Sequence, residues 1–166
     1  MKTFLLLTTI FISYSLPCQN SLAICNYKQI EFDNDTCCWR ALSRKDSFTQ
    51  AANMIVAYLQ CGNQTLNNHS LQWHAGQTFA CAGLNTMAKK YFRKTYNMFT
   101  KWFGGKDGRA WYYYAKGSVA FLDRNKVRLH RIIAKWENTL EKDLNYESLV
   151  LLYANFSSSY RMALLH

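Results

Sequence analysis

Apolar side chains occupy only one face of four long stretches of this chain, at the spacing of an α-helix. In each stretch the apolar residues recur every three or four positions and polar residues fill the other side, as in amphipathic helices. The four stretches are 47–60, 78–103, 118–140 and 146–165. None of these helices could bury its apolar face alone. The pattern therefore predicts an all-α fold, a four-helix bundle, as the simplest way to bury all four faces.

Residues that favour turns are scarce, which agrees with a helical fold. The 166 residues include 7 glycines and 1 proline, whereas an all-β sandwich turns about every dozen residues and usually has more of both. Residues 109–121 are ambiguous, because their aromatic run and Gly117 fit either a short β-hairpin or a helix. The length suits a single domain with one core.

The N-terminal segment has the features of a secretory signal peptide. Lys2 precedes an apolar run over 3–16, and small residues follow at the two positions that signal peptidase reads. The run is shorter than the roughly 20 residues that span a bilayer. We therefore predict that residues 1–23 are cleaved, that residues 24–166 form one helical-bundle domain without a membrane span, and that the protein is secreted.

Five cysteines remain after this cleavage, all in the front half of the mature chain. They are Cys25, Cys37, Cys38, Cys61 and Cys81. In an oxidising compartment they predict disulfides that brace the N-terminal half, but their odd number leaves one thiol over and their spacing does not fix the pairing. Cleavage after Ser15 would instead keep Cys18 and give six. Because Cys61 and Cys81 flank a predicted loop, we expect Cys61 to pair with one of the three preceding cysteines and Cys81 with one of those left.

Four N-glycosylation sequons agree with export. Their asparagines are Asn34, Asn63, Asn68 and Asn155. Asn63 and Asn68 lie in a polar stretch, 61–70, which predicts an exposed loop. Asn155 lies on the polar side of the last predicted helix. We therefore expect a glycoprotein.

The chain is strongly basic, and this limits its partners. It has 20 Lys and Arg against 10 Asp and Glu, a net charge of +10, and residues 47–106 contain no acid. Such a surface favours an acidic receptor face, a sulfated polysaccharide or anionic lipid, whereas nucleic acid is not the expected partner of an exported protein. The alternative interpretation is that the cations only keep a helical protein soluble.

The third predicted helix carries a line of cations. Its members recur at intervals of four, three and four residues, so they share one face opposite the apolar stripe. They are Arg124, Arg128, Arg131 and Lys135. Their mutual repulsion would be relieved by a partner that carries carboxylates, and arginine binds carboxylates bidentately. The line predicts a partner-binding face, with Arg128 and Arg131 as the first contacts to test; a solvated face is the alternative.

No grouping of residues indicates an enzyme. The four histidines are scattered, whereas a zinc site needs closely grouped ligands. Cys37 and Cys38 resemble the doubled cysteine of secreted phospholipases A2, but Trp39 and Arg40 follow them instead of that family's His-Asp pair. The chain has no Gly-x-Ser-x-Gly motif and no glycine-rich phosphate loop. We therefore predict a protein that is not an enzyme and that uses no metal or cofactor.

A succession of short motifs is similar to a known family. Tyr-Leu-Gln-Cys at 58–61 ends the first predicted helix, a loop with sequons covers 62–77, and Thr-Phe-Ala-Cys-Ala at 78–82 opens the second helix. This order resembles the short-chain helical cytokines of the interleukin-4 and interleukin-13 group. The resemblance implies a secreted cytokine that binds a cell-surface cytokine receptor and signals in immune regulation. The acidic receptor contact of that family's first helix has no clear counterpart, because the matching segment offers Arg44, Lys45 and only Asp46. Arg44 and Lys45 are the candidate receptor contacts in this segment.

Two features depart from this group. No cysteine follows position 81, and the connection between the third and fourth predicted helices, 141–145, is short. Fully extended it spans at most about 17 Å, whereas the third helix would be about 35 Å long. It therefore cannot cross the bundle as the up-up-down-down topology of these cytokines requires. Either the third helix is broken near 123–125 or the bundle runs up-down-up-down.

Two other functions fit a secreted, basic, helical protein. A carrier of a lipid or small apolar ligand would need an unfilled interior, for which the 16% aromatic content supplies material. A heparin-binding host-defence protein would need only the basic surface, so heparan sulfate is a second candidate partner.

Overall fold

A computed structural model describes residues 21–61, 67–96 and 105–165, and over these ranges the chain is helical and has no strand. The helices are α1 (Ser21–Ile24), α2 (Gln29–Phe32), α3 (Cys38–Arg44), α4 (Phe48–Gln60), α5 (Asn68–Cys81), α6 (Asn85–Lys94), α7 (Gly105–Leu122), α8 (Lys126–Glu137), α9 (Leu144–Ala154) and α10 (Tyr160–Leu164). The all-α prediction is confirmed. Residues 1–20 of the predicted signal peptide and the Asn63 sequon lie outside the described residues.

The first predicted helix is α4, and it ends just before Cys61 as expected. The second predicted helix is instead two helices that fold back on each other. Gly83, with a φ of +75°, separates α5 from α6 in a left-handed conformation that glycine adopts without strain. The rings of Phe79 and Tyr91 lie 5.6 Å apart, whereas residues twelve apart in a straight helix are separated by about 18 Å. A continuous helix over 78–103 is therefore wrong, although positions from 97 onwards lie outside the described residues.

The loop before α5 is shorter than predicted. α5 begins at Asn68 because the side-chain oxygen of Asn67 accepts a hydrogen bond from the backbone N–H of Ser70 at 3.0 Å and caps the helix. The amide of Gln29 pairs with the backbone of Asn67 as well, accepting from its N–H at 2.7 Å and donating to its carbonyl at 3.3 Å. These contacts tie α2 to the start of α5. Residues 68–77, expected in the loop, are helical.

α7 runs without interruption through the ambiguous residues 109–121, so the hairpin alternative is wrong and the helical one is correct. The buried Tyr113 ring lies 6.1 Å from the ring of Trp136, which places α8 back along α7. The third predicted helix, 118–140, is therefore two helices. Of the two alternatives for the short 141–145 connection, the structure has the break near 123–125.

Short side chains set the remaining helix ends. Asn125 caps α8 by accepting from the backbone N–H of Arg128 at 2.9 Å. Asp143 caps α9 in the same way, accepting from the backbone N–H of Tyr146 at 2.9 Å. α9 ends at Ala154 and α10 follows only at Tyr160, so the fourth predicted helix is also interrupted.

Successive helices pack on one another around an aromatic core. α4 packs on α5, α5 on α6, α6 on α7 and α7 on α8, while α9 lies against both α7 and α8. The ring of Trp73, on α5, lies 5.0 Å from that of Trp111 and 4.5 Å from that of Tyr114, both on α7. Aromatic contacts at these distances contribute beyond the area that they bury. They join the front and back halves of the chain.

A disulfide joins Cys25 to Cys61 and fixes the end of α1 to the end of α4. The expectation that Cys61 pairs with an earlier cysteine is confirmed. Cys81 is a free thiol, so the expectation that it pairs is wrong. The sulfurs of Cys37 and Cys38 lie 3.0 Å from each other, whereas Cys81 faces a separate cleft lined by the side of α4 and by α10.

Candidate functional site

A concave site lies between α7 and α8. Its lining residues are Tyr112, Tyr113, Lys116, Arg128, Arg131 and Lys135, with Ile132 at its base, around a cavity of about 210 Å³. We call this site the basic groove. Four of its residues are cations and none is an acid. The groove therefore has the charge and the shape to receive an anionic group.

α7 supplies an aromatic wall and one positioned cation. Tyr112 and Tyr113 are 5% and 7% exposed, so their rings are part of the core as well as of the groove. Lys116 lies one helical turn after Tyr112, and its ammonium donates a hydrogen bond to the Tyr112 hydroxyl at 2.8 Å. The same ammonium lies 5.0 Å from the centre of the Tyr112 ring, at its hydroxyl end. Lys116 is therefore held at the wall of the groove.

α8 supplies the other three cations. Arg128 is half-buried and its guanidinium lies 3.6 Å from a carboxylate oxygen of Asp123. Arg131 and Lys135 follow at helical spacing and are exposed. Within the described part of the chain, neither of them has a carboxylate within 4.0 Å, and the same holds for Lys116. No carboxylate of the described residues therefore compensates these three charges.

Asp123 removes only part of the positive charge near the groove. Its carboxylate accepts from Lys89 at 2.8 Å and also lies 3.7 Å from Arg93, in addition to its contact with Arg128. One negative charge thus faces three positive charges next to the groove. The surrounding surface keeps a net positive potential, which concentrates anions near the groove.

The structure separates the predicted contact residues into two groups. Arg128, Arg131 and Lys135 line the basic groove, but Arg124 does not. The Arg124 guanidinium donates to the carbonyl oxygens of Phe156 at 2.6 Å and Ser158 at 3.0 Å, so it holds the α9–α10 connection against the α7–α8 turn.

Arg44 and Lys45 are exposed at the end of α3 and are not part of the groove. Lys116 was missed by the sequence reasoning, because the helical state of 109–121 was left open. The signal that could have found it is the Tyr-x-x-x-Lys spacing, which places Tyr112 and Lys116 on one helix face.

His69, His74 and His130 do not line the basic groove. Burial lowers the pKa of His74, and Arg40 beside it lowers this pKa further, while Asp33 and Gln77 act in the opposite direction. Burial also lowers the pKa of His69. Among the described residues no three His, Cys, Asp or Glu side chains are grouped to hold a metal ion.

The sequon asparagines differ in their surroundings. Asn34 is exposed, and its side-chain oxygen accepts from both the backbone N–H and the hydroxyl of Thr36. Asn68 is exposed at the start of α5. Asn155 is half-buried, and its amide nitrogen, the atom to which a glycan is attached, donates to the carbonyls of Leu151 and Ala163. Glycosylation at Asn155 would disrupt at least one of these hydrogen bonds.

Within the described ranges, none of the helices is both long enough and apolar enough to cross a membrane. Comparison of the chain with models of protein families, with curated proteins and with solved structures finds no match.

Proposed function

We propose that this protein is a secreted helical cytokine that binds the acidic face of a cell-surface cytokine receptor and signals in immune regulation. The observation that carries the proposal is the row of exposed cations along α8, Arg131 and Lys135, which has no carboxylate partner in the described part of the chain. The Tyr-Leu-Gln-Cys motif at 58–61, which ends α4 and resembles the interleukin-4 and interleukin-13 group, supports it. The motif at 78–82 ends α5 instead of opening a helix, so it adds no support.

The fold that we propose is a variant of the four-helix bundle with α4, α5, α7 and α8 as its principal helices. α4 packs on α5 and α7 packs on α8. The contacts of Trp73 with Trp111 and Tyr114 join these two pairs. Short turns link several successive helices, so the connectivity differs from the up-up-down-down order of the cytokine group.

The charge pattern gives the physical reason for the receptor contact. Arg128, Arg131 and Lys135 lie within two turns of one helix face and repel one another in the free protein. Carboxylates on a receptor would relieve this repulsion and would also accelerate association through long-range attraction. Arginine at the centre of such a face adds bidentate hydrogen bonds.

The interior favours a receptor-binding protein over the carrier alternative. The rings of Phe32 and Tyr58 stack at 3.9 Å, and both residues are fully buried. Trp73 is surrounded by other aromatic rings, as described above. The aromatic residues that could have lined a ligand cavity thus fill the described core with one another.

The proposal is tested on cells that lack heparan sulfate, so that only a protein receptor is left to respond. Purified secreted protein is expected to bind saturably and to trigger receptor-linked tyrosine phosphorylation. The double variant R131E/K135E should keep its helical circular dichroism and lose at least about tenfold in potency, because the variant places carboxylates against the receptor's own.

A second double variant, R44E/K45E, reverses two exposed cations outside the basic groove and serves as the comparison. It is expected to reduce potency less than R131E/K135E does. Loss of signalling in R44E/K45E alone would move the receptor contact to α3. Absence of saturable binding and of phosphorylation over a panel of immune cells would contradict the cytokine proposal as a whole.

A further inference from the structure

The basic groove combines features that a simple solvated face does not need. It is concave, its wall is aromatic, and one of its cations is held in place by a hydrogen bond. We infer that the groove binds a sulfated sugar unit of a glycosaminoglycan chain, with the sulfate esters on the cations and the sugar ring against the tyrosines. The inference rests on the proposed function only in that both require an exported protein that reaches cell surfaces.

The groove has room for part of a sugar chain. Its volume of about 210 Å³ is many times the roughly 10–15 Å³ that one water molecule needs. Tyr112 and Tyr113 line one wall but are only 5% and 7% exposed, and Ile132 is 5% exposed. A sugar ring in the groove therefore contacts only the exposed edges of these side chains, while its sulfates reach the cations.

The cations are arranged for more than one sulfate. Lys116 is on the α7 wall, and Arg128 faces the groove from α8. Arg131 and Lys135 continue the row, and Lys135 lies seven positions after Arg128, a rise of about 10 Å along the helix. A polymer with sulfates repeated along its length can contact several of these cations at once, whereas a single small anion contacts one or two. The arrangement therefore favours a polyanion over an isolated ion.

Several cations of the described residues, the exposed Lys45 and Lys90 among them, have no ion pair, but three such cations lie together in the groove. Other cations are held by carboxylates. Arg161 contacts Asp46 at 2.6 Å, and Lys106 contacts Glu141 at 3.4 Å. Lys116, Arg131 and Lys135 lack such partners in the described part of the chain, as shown above. An incoming sulfate therefore does not have to displace a carboxylate from these three side chains, and the local gain in charge pairing is larger than at the paired sites.

The positioning of Lys116 lowers the cost of binding. Free lysine side chains lose rotamer freedom when they bind a ligand. Lys116 is already fixed by its hydrogen bond to the Tyr112 hydroxyl. We therefore expect Lys116 to contribute to affinity although it is less exposed than Arg131 and Lys135.

The test measures binding of the purified, full-length secreted protein to a heparin octasaccharide by titration calorimetry. The variant R131E/K135E is compared with K45E/K90E, which reverses two exposed lysines outside the groove and has the same net charge. R131E/K135E is expected to weaken binding at least about tenfold and K45E/K90E less than about threefold. Equal losses in the two variants would show that binding depends only on overall charge, which would overturn the inference.

The variant K116M tests the groove more closely, because methionine keeps much of the apolar stem and removes the charge. It should weaken heparin binding about threefold or more without changing helicity, and desulfated heparin should not bind any of the proteins. Unchanged affinity in K116M would place the ligand outside the groove and overturn the inference. Binding of a sulfotyrosine peptide without binding of heparin would overturn it as well, in favour of a protein partner.

The receptor proposal and the glycosaminoglycan inference can be contradicted independently of each other. The calorimetric assay contains no receptor, and the signalling assay uses cells without heparan sulfate. Loss of heparin binding in R131E/K135E with normal signalling on such cells would support the glycosaminoglycan site and contradict the receptor contact. Normal heparin binding by both R131E/K135E and K45E/K90E would contradict the glycosaminoglycan site, whatever the signalling assay shows.

Discussion

Gly117 of α7 lies so close to Leu149 of α9 that a Cβ atom at position 117 would be 2.5 Å from the Leu149 Cδ2 atom. Leu149 is fully buried, and α9 packs on both α7 and α8. The missing side chain of Gly117 therefore sets the distance between α7 and α9. Because Lys116 is the preceding residue, the same contact fixes the position of one wall of the basic groove.

Substituting Gly117 with alanine should destabilise the protein. Overpacking of a filled core costs about 1–3 kcal/mol, which exceeds the roughly 0.5–1 kcal/mol that alanine gains over glycine in a helix. Chemical denaturation followed by circular dichroism measures the change. In the L149A background the Cβ atom of alanine at position 117 has space, so G117A should lower the free energy of unfolding much less. An equal loss in both backgrounds would mean that the Leu149 contact is not the cause.

Arg124 gives a prediction that separates a structural cation from the groove cations. R124A removes the hydrogen bonds to the carbonyls of Phe156 and Ser158 and should cost about 1 kcal/mol of the free energy of unfolding. Arg124 also has a φ of +54°, where glycine is favoured over other residues by about 1–2 kcal/mol. R124G should therefore be more stable than R124A.

Neither Arg124 variant should change heparin affinity beyond about twofold, because the side chain does not line the groove. A loss of binding as large as that of R131E/K135E, with the fold intact, would place Arg124 in the binding site after all.

The sequence predicted the helical class well and the helix turns poorly, for a physical reason. Apolar periodicity records which face is buried, and this face stays the same when a helix folds back on its own continuation. The turns at Gly83 and Arg124 take only three residues each, 82–84 and 123–125, and both residues have positive φ. A single glycine or a non-glycine residue in this conformation is a weak signal. The length limit on 141–145 nevertheless led to two alternatives, and one of them, the break near Arg124, is what the structure has.

The groove could be predicted only in part for a related reason. The α8 cations follow from spacing alone, so three of the four cations that line the groove were identified. Lys116 lies on α7, and its position opposite α8 depends on the turn at 123–125 and on the Tyr113 contact with Trp136. Neither of these is a local property of the sequence around Lys116.

Removal of the disulfide should lower stability substantially. The bond between Cys25 and Cys61 spans 36 residues, and a crosslink of this kind typically contributes about 2–4 kcal/mol by restricting the unfolded chain. The variant C25S/C61S should show this loss in chemical denaturation. C81A removes a free thiol instead and should cost less than about 1 kcal/mol. Equal losses in the two variants would contradict the assignment of the disulfide to Cys25 and Cys61.

The pH dependence of stability should contain a contribution from His74. Its ring lies 5.0 Å from the ring of Trp39, and burial together with Arg40 lowers its pKa in the folded protein. The unfolded chain, with a histidine pKa of about 6.5, therefore binds the proton more readily. Since the unfolded state takes up more protons, the free energy of unfolding should fall as the pH drops below about 6.5.

The variant H74Q isolates this contribution, because glutamine does not titrate. Denaturation curves between neutral and mildly acidic pH should show that the stability difference between the wild type and H74Q shifts in favour of H74Q as the pH falls. H130Q, at an exposed position on α8, serves as the matched control. If the slope of stability against pH is the same in H74Q as in the wild type, His74 does not resist protonation in the folded protein. The acid sensitivity then arises elsewhere. His69 is the next residue to substitute, because burial lowers its pKa too.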